Sequence, residues 1–423
     1  MHVALFVSAL LASAGTAHAS KSAGCGKALP KGLTKGEEGK SNAMTFGPSG
    51  SPKRRYLLHI PETYDVDTPA GMIWSFAGRG KDAEHQEKIT RLSDKDFNSE
   101  YIVVYPQAQR GNGTATSEFE DDGDDDSDSN NLKRGLRRQR DDDSDDYDDD
   151  DEFDDSSSSD SGQQQWQGDP TSHANDVAFT LELLARLSDR LCIDSEKIYA
   201  SGLSNGGGFV ANILACDAVA STKFAAFAAA SGAYYQNNVT GACEPDTVPL
   251  ACDNNGTKVP MIFTNGGADK VISYEGGERR NSCLPSVPHF VTAWAERDGL
   301  DSKNESSTVD GTDITHYSFG QGETAGMVQS YYLPKLGHKW PTKSASDLSA
   351  TRVFIEFFER WNMPARNVAT GGSGSGTSTS GSGSKTSSSA SATSTSKAAL
   401  QMGSPSLSGM GLVVAVAVGT FWL

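Results

Sequence analysis

A mostly parallel β-sheet with helices on both faces is the fold class this sequence predicts, and three observations carry it. Short apolar runs alternate with helical patterns through the middle of the chain. Several of those runs are apolar along their whole length, as strands buried on both faces should be. One of them leads into Gly202-Leu203-Ser204-Asn205-Gly206 and then into a helical pattern, the strand–turn–helix context of a nucleophile elbow.

The strand candidates, in order, are Tyr56 to Ile60, Met72 to Phe76, Tyr101 to Tyr105, Lys197 to Ala200, Phe224 to Ala229, Met261 to Thr264 and Ser330 to Leu333. Val177, Leu181, Leu184 and Leu191 share one face of a helix over Asp176 to Leu191. Phe209 to Cys216, Pro285 to Arg297 and Asp347 to Trp361 read as further helices. Together these elements set a globular domain over residues 25–366, interrupted at 111–165. That insert has almost no apolar residues and carries like-charge runs, so it is expected to be a solvated, disordered loop. It lacks the spacing, the Gly and the terminal Glu of an EF-hand, and no metal site is expected.

The net charge of −18 is local in origin. Between Glu118 and Asp160 lie 21 of the 55 acidic residues and 5 of the 37 basic ones, which leaves the rest of the chain nearly balanced. Neither a nucleic-acid-binding surface nor an acid-adapted body follows from it.

Both ends of the chain have the composition of processing signals. Residues 1–19 hold an apolar run from Val3 to Leu11 and end in Ala17-His18-Ala19, a small-x-small cleavage site, although a basic start is nearly absent. Residues 367–399 are rich in Ser, Thr and Gly and are expected to form a flexible stalk. Residues 400–423 close on the apolar tail Leu412 to Leu423, the order of a glycosylphosphatidylinositol (GPI) signal, with attachment expected within Ser391 to Ala399. The chain is thus expected to be exported and to meet the membrane only through a lipid anchor. Four sequons agree with that route, at Asn112, Asn238, Asn255 and Asn304.

An even count of six cysteines in an exported chain argues for disulfides. A strand rising to Ser204 and a helix descending from it each span roughly 20 Å. Cys216 would then return to the level of Cys192, which gives a Cys192–Cys216 bridge. Cys243–Cys252 would close a short polar loop, and Cys25–Cys283 remains by elimination.

Ser204 needs a base and a group to orient it, in the order Ser, acid, His. Asp269 lies just past Met261 to Thr264, and His338 lies past Ser330 to Leu333. The spacings of 65 and 69 residues each leave room for a strand–helix unit. In these roles His338 would take the Ser204 proton and Asp269 would hold the imidazole tautomer, while the Asn205 N–H stabilises an oxyanion.

Val104-Tyr105-Pro106-Gln107, Trp166-Gln167-Gly168-Asp169-Pro170, Gly202 to Gly208 and Gly337 to Pro341 together resemble fungal feruloyl esterases. Those enzymes are relatives of acetyl xylan esterases and polyhydroxybutyrate depolymerases. The resemblance implies an α/β-hydrolase fold, a Ser204, Asp269 and His338 triad, and no cofactor. It further implies cleavage of ferulate or related hydroxycinnamates from plant cell-wall arabinoxylan. It also places Trp166 near the mouth of the site, where the ring would either stack on an aromatic acyl group or simply pack.

Two motifs depart from the family. Ala77-Gly78-Arg79-Gly80 stands where His-Gly is usual after the second strand, and Asn265-Gly266 stands where His-Gly often precedes the acid. The Arg79 backbone N–H is the expected second oxyanion donor, with its side chain toward solvent. Acetyl xylan esterase is the closest rival reading, and a wall-bound, non-catalytic protein on a hydrolase scaffold is the other. The insert falls between two of the family motifs and is a surface loop, a cleaved segment or an unspliced intron.

Overall fold

In a computed structural model the described residues are 20–36, 40–47, 52–110, 162–237, 239–252, 254–363 and 366–367. The leader, most of the insert, the stalk, the anchor signal, Asn112 and Asn238 lie outside them. Asn255 and Asn304 are both exposed.

The first strands are β1 (Asn42–Phe46), β2 (Arg54–His59), β3 (Ala70–Phe76) and β4 (Ile102–Pro106). A two-residue pair follows, β5 (Gln109–Arg110) with β6 (Gln164–Gln165). Next come β7 (Ile193–Leu203), β8 (Ala226–Ala230) and β9 (Met261–Gly266). A small hairpin, β10 (Gly277–Arg279) and β11 (Ser282–Leu284), precedes β12 (Glu305–Thr308), β13 (Thr315–Phe319) and β14 (Val328–Leu333). Ten of these strands form one sheet in the order β1-β2-β4-β3-β7-β8-β9-β14-β13-β12. The six from β4 to β14 run parallel, and antiparallel pairs finish both edges.

The strands are apolar throughout because alternate side chains enter different cores. Met72, Trp74 and Phe76 of β3 face one core and Ile73 the other, and Ile102 and Val104 alternate with Val103 and Tyr105 in the same way. The first core is covered by α2 (Asp176–Ser188) and α4 (Val287–Arg297), and the second by α1 (Ala83–Thr90) and α6 (Ala350–Arg360). Helix α3 (Asn205–Gly208) and a π-helical turn over Phe209–Leu214 join the first core, and α5 (Lys343–Ser346) is a short surface turn. Side chains of Asn175, Ser286 and Ser349 cap α2, α4 and α6, so the last two begin two or three residues later than their apolar pattern suggests.

Several elements carried no usable pattern. Strand β12 is Glu-Ser-Ser-Thr and fully exposed, β1 is an exposed edge strand, and α1 is mostly polar. The insert is also shorter than expected at its far end. Gln164 and Gln165 are ordered because they pair with Arg110 and Gln109 and because Gln165 is buried.

All three expected disulfide pairings are corrected: the bridges are Cys25–Cys192, Cys216–Cys252 and Cys243–Cys283. The level of Cys216 along the sheet is no guide to its lateral position. The N-terminal segment runs beside the start of β7, with the Ser22 N–H donating to the Ile193 carbonyl, and it takes Cys192 for Cys25. The turn bearing Cys216 is tied instead to the loop before β9, where the Asn254 side chain donates to the Ala215 carbonyl. Cys283 lies on β11, whose backbone exchanges hydrogen bonds with Gln236, and this brings Cys243 rather than Cys25 to it. Three bridges fit the oxidising, extracellular compartment.

Two outcomes follow from this architecture. Peptide mapping without reduction is expected to recover Cys25–Cys192, Cys216–Cys252 and Cys243–Cys283, and a Cys192–Cys216 peptide would contradict the fold described. The second concerns Asp298, at the end of α4, which accepts from the Val259 N–H at 3.1 Å and from Arg297 at 3.0 Å. Burial pushes its carboxyl from 3.8 up to about 6 despite the adjacent Arg297 guanidinium. The folded state therefore binds more protons across that window, and this group's contribution to stability falls as pH rises through it. Wild-type stability measured relative to Asp298→Asn should decline between pH 4 and pH 6.5, roughly the window those values define. A flat difference would show that Asp298 titrates normally.

Candidate active site

Strand β7 ends at Leu203, and Ser204 occupies the turn into α3 with φ 55° and ψ −120°. For a residue with a Cβ this conformation costs about 1–3 kcal/mol, so neighbouring contacts must hold it. They do so through the backbone: the Ser204 N–H donates to the Ala230 carbonyl at 3.0 Å, and its own carbonyl accepts from Gly208 and Ala233, each at 2.9 Å. A Cβ on Gly206 would lie 2.2 Å from the Phe76 carbonyl oxygen, and one on Gly208 would lie 2.1 Å from that of Ala233. Glycine at these positions is therefore a packing requirement as well as part of a motif.

The structure brings the three expected triad residues together in the expected order. His338 Nε2 is 2.8 Å from Ser204 Oγ, and His338 Nδ1 is 2.7 Å from Asp269 Oδ2. A carboxylate only accepts, so Nδ1 carries the proton and Nε2 is left to accept from the serine hydroxyl. The second Asp269 oxygen accepts from the Val271 and Ile272 N–H groups, each at 2.8 Å, which fixes the carboxylate plane. Ser204 and Asp269 are both buried, as is the His338 side chain.

Two close approaches put the acid and the histidine side by side. The Gly267 and Ala268 N–H groups donate to the Leu333 and Leu336 carbonyls, and a Cβ on Gly266 would lie 2.1 Å from the Leu336 oxygen. Beyond His338, the Trp340 indole donates to Thr351 on α6, anchoring the histidine loop from its far side.

The Ala77-Gly78-Arg79-Gly80 loop lies against Ser204, since a Cβ on Gly78 would be 3.4 Å from that of Ser204. Asn205, next to the serine, accepts from the Trp166 backbone N–H at 2.7 Å. For this region the structure decides the open alternative at Trp166 and corrects the expectation at Arg79. Trp166 is completely buried, stacked on Phe209 at 5.6 Å and edge-on to Phe76 at 5.0 Å, so its ring packs and offers no face to a substrate. Its indole N–H donates to the Ala77 carbonyl at 2.9 Å. The Arg79 side chain is not in solvent but buried, with its guanidinium on Gln163 and Gln165.

The remaining motif residues build the wall behind this region. The Arg54 guanidinium donates to Asp176 at 2.5 Å and to the Gln107 carbonyl, and it lies 3.8 Å above the Phe179 ring. Asp176 accepts the Gln167 N–H at 2.5 Å, and its own N–H donates back to the Gln167 side chain. Sequence reasoning missed Arg54 and Asp176. Each looks like a surface charge in its own segment, and only the sheet brings them 122 positions together.

No protein-family model matches the chain. Among curated proteins it is similar to feruloyl esterase B from Piromyces equi, 29% identical over 149 residues, which is 34% of this chain. The match spans about a quarter of that protein's length. Among solved structures, an acetyl xylan esterase from Aspergillus awamori overlaps 75% of this chain and 99% of its own, at 12% identity and a TM-score of 0.43. A poly(3-hydroxybutyrate) depolymerase from Bordetella parapertussis overlaps 71% and 84%, at 14% identity and a TM-score of 0.39. It is the strand order and the strained serine turn, rather than these overlaps, that define the architecture: the chain has the α/β-hydrolase fold.

Proposed function

We propose that this chain is a serine carboxylic ester hydrolase, and that its substrates are hydroxycinnamate esters of plant cell-wall arabinoxylan, as for a feruloyl esterase. The carrying observation is the hydrogen-bonded series Asp269–His338–Ser204, with the serine on a strained turn. Ser204 Oγ attacks the ester carbonyl as its proton passes to His338 Nε2. The oxyanion forms against the backbone N–H groups of Asn205 and Arg79, which cost no reorganisation because both segments are already fixed. His338 then returns the proton to the departing sugar hydroxyl, leaving an acyl-enzyme that water cleaves by the same steps in reverse roles. Asp269 holds the imidazole in the required tautomer and stabilises its charged form.

The likeness to feruloyl esterase B supports the acyl group, and the motifs shared with fungal feruloyl esterases support the polysaccharide. The leader, the sequons, the three disulfides and the GPI-type tail support export to the cell surface or wall under a lipid anchor.

Ser204→Ala is expected to lower ester turnover by about 10⁴-fold or more with the fold intact. Asp269→Asn should lose a comparable factor, because it lets His338 adopt the wrong tautomer. Steady-state kinetics checks both, and near wild-type turnover in Ser204→Ala would exclude the mechanism. A panel of methyl ferulate, acetylated xylan and short hydroxybutyrate oligomers tests the acyl group. Highest kcat/KM is expected on methyl ferulate, and a preference for acetylated xylan would replace the feruloyl assignment with the acetyl one.

A further inference from the structure

Residues 77–80, which carry the second oxyanion donor of the proposed mechanism, are anchored on residues 163–166. The Trp166 indole donates to the Ala77 carbonyl at 2.9 Å, and the Gly80 N–H donates to the Gln164 carbonyl at 2.8 Å. Between these two backbone anchors stands Arg79. Its Nη1 donates to Gln163 Oε1, and its Nε reaches Gln165 Oε1 at 3.3 Å and Asp169 Oδ2 at 3.6 Å.

The receiving groups are themselves fixed. Gln165 donates to the Thr171 carbonyl at 2.9 Å and accepts from the Thr171 hydroxyl at 2.7 Å, which turns its carbonyl oxygen toward Arg79. Asp169 accepts from the Thr171 N–H and hydroxyl, and its carboxylate is buried. A planar guanidinium with fixed N–H directions holds the two glutamine oxygens at once with its charge beside the Asp169 carboxylate, whereas an ammonium on a flexible stem cannot hold that geometry. Ala77 contributes only a methyl group and Gly78 and Gly80 have no side chain, so side-chain anchoring of the loop falls to Arg79.

We propose that Arg79 is a positioning residue, whose buried fork onto Gln163 and Gln165, beside the Asp169 carboxylate, sets the 77–80 backbone for the transition-state oxyanion. The assignment rests on the ester-hydrolase reading above. An oxyanion contact strengthens only in the transition state, so the loss on breaking the fork appears in kcat rather than KM. A displacement of about 1 Å in a catalytic group costs on the order of 100-fold, and an entire oxyanion donor costs about 10²–10³-fold.

The test compares Arg79→Met, Arg79→Lys and the milder Gln163→Ala, using p-nitrophenyl acetate hydrolysis and the labelling rate of a fluorophosphonate, whose phosphoryl oxygen enters the same oxyanion site. Arg79→Met and Arg79→Lys are each expected to lower kcat by about 10–100-fold. KM should stay within about 3-fold of wild type, because no substrate contact is removed. Labelling should slow in parallel, and Gln163→Ala should show the same kcat-only pattern at several-fold smaller size. Full kcat in Arg79→Lys, or a loss confined to KM, would overturn the proposal. If Arg79→Met does not fold, Gln163→Ala with unchanged kcat and labelling overturns it instead. Wild-type protein that fails to label would defeat the hydrolase reading itself, whereas a labelled wild type with equally fast variants defeats only the role of Arg79.

Discussion

The strained backbone at Ser204 is the constraint around which the molecule is arranged. A serine at φ 55° and ψ −120° is unfavourable in isolation, and here it is held by three backbone hydrogen bonds, two at or just past the end of β8 (Ala230 and Ala233) and one from Gly208. Those bonds require β8 to lie beside β7, and they require the elbow helix to approach the sheet closely enough that only glycine fits at Gly206 and Gly208. The small side chains of β8 (Ala226, Ala228, Ala229 and Ala230) belong to the same packing solution, since they let helices approach both faces of the sheet. Strain at the nucleophile and close packing in the core are thus one arrangement seen at two scales.

The triad inherits its geometry from the sheet. Strands β9 and β14 are parallel neighbours, so the loops at their carboxyl ends emerge side by side, and backbone hydrogen bonds join them before either side chain is considered. His338 is fixed from three directions: the Asp269 carboxylate, the Ser204 hydroxyl, and the Trp340 anchor on α6. Asp269 in turn spends one oxygen on two backbone N–H groups and the other on the histidine. The carboxylate is thereby held in one orientation, which fixes the imidazole that it orients.

Behind the site lies a buried polar system that does no chemistry. Arg54 and Asp176 pair there out of reach of water, with the Gln107 carbonyl accepting from Arg54 and the half-buried Gln167 exchanging hydrogen bonds with Asp176. Removing one partner of such a pair usually costs about 3–5 kcal/mol, because the other charge is left buried and unpaired. Its position explains the cost. Gln167 follows Trp166, whose indole and backbone N–H groups hold Ala77 and Asn205 respectively. Both sides of the proposed oxyanion site are therefore referred to a single buried ion pair.

The central strands, the elbow and the residues of the Ser204–His338–Asp269 hydrogen-bonded cluster were legible in the sequence, because each is written locally. Apolar runs of strand length, glycines flanking a serine, and polar residues just past a strand end are properties of consecutive residues. Edge strands such as Glu305–Thr308 left no trace, since an exposed strand buries nothing and needs no apolar pattern. The disulfides were misread for a different reason: distance along an element gives height on the sheet, while pairing depends on which segments are lateral neighbours. Trp166 and Arg79 show the same limit at the site. An aromatic ring and a guanidinium near a motif suggest a substrate platform and a solvated charge. Whether each faces solvent or core depends on the register of β5 with β6 and on the depth of α2, which involve residues far apart in the chain. Residue type and local spacing determine which chemistry is available. Burial and orientation are collective properties of the packed sheet, and only the tertiary structure decides them.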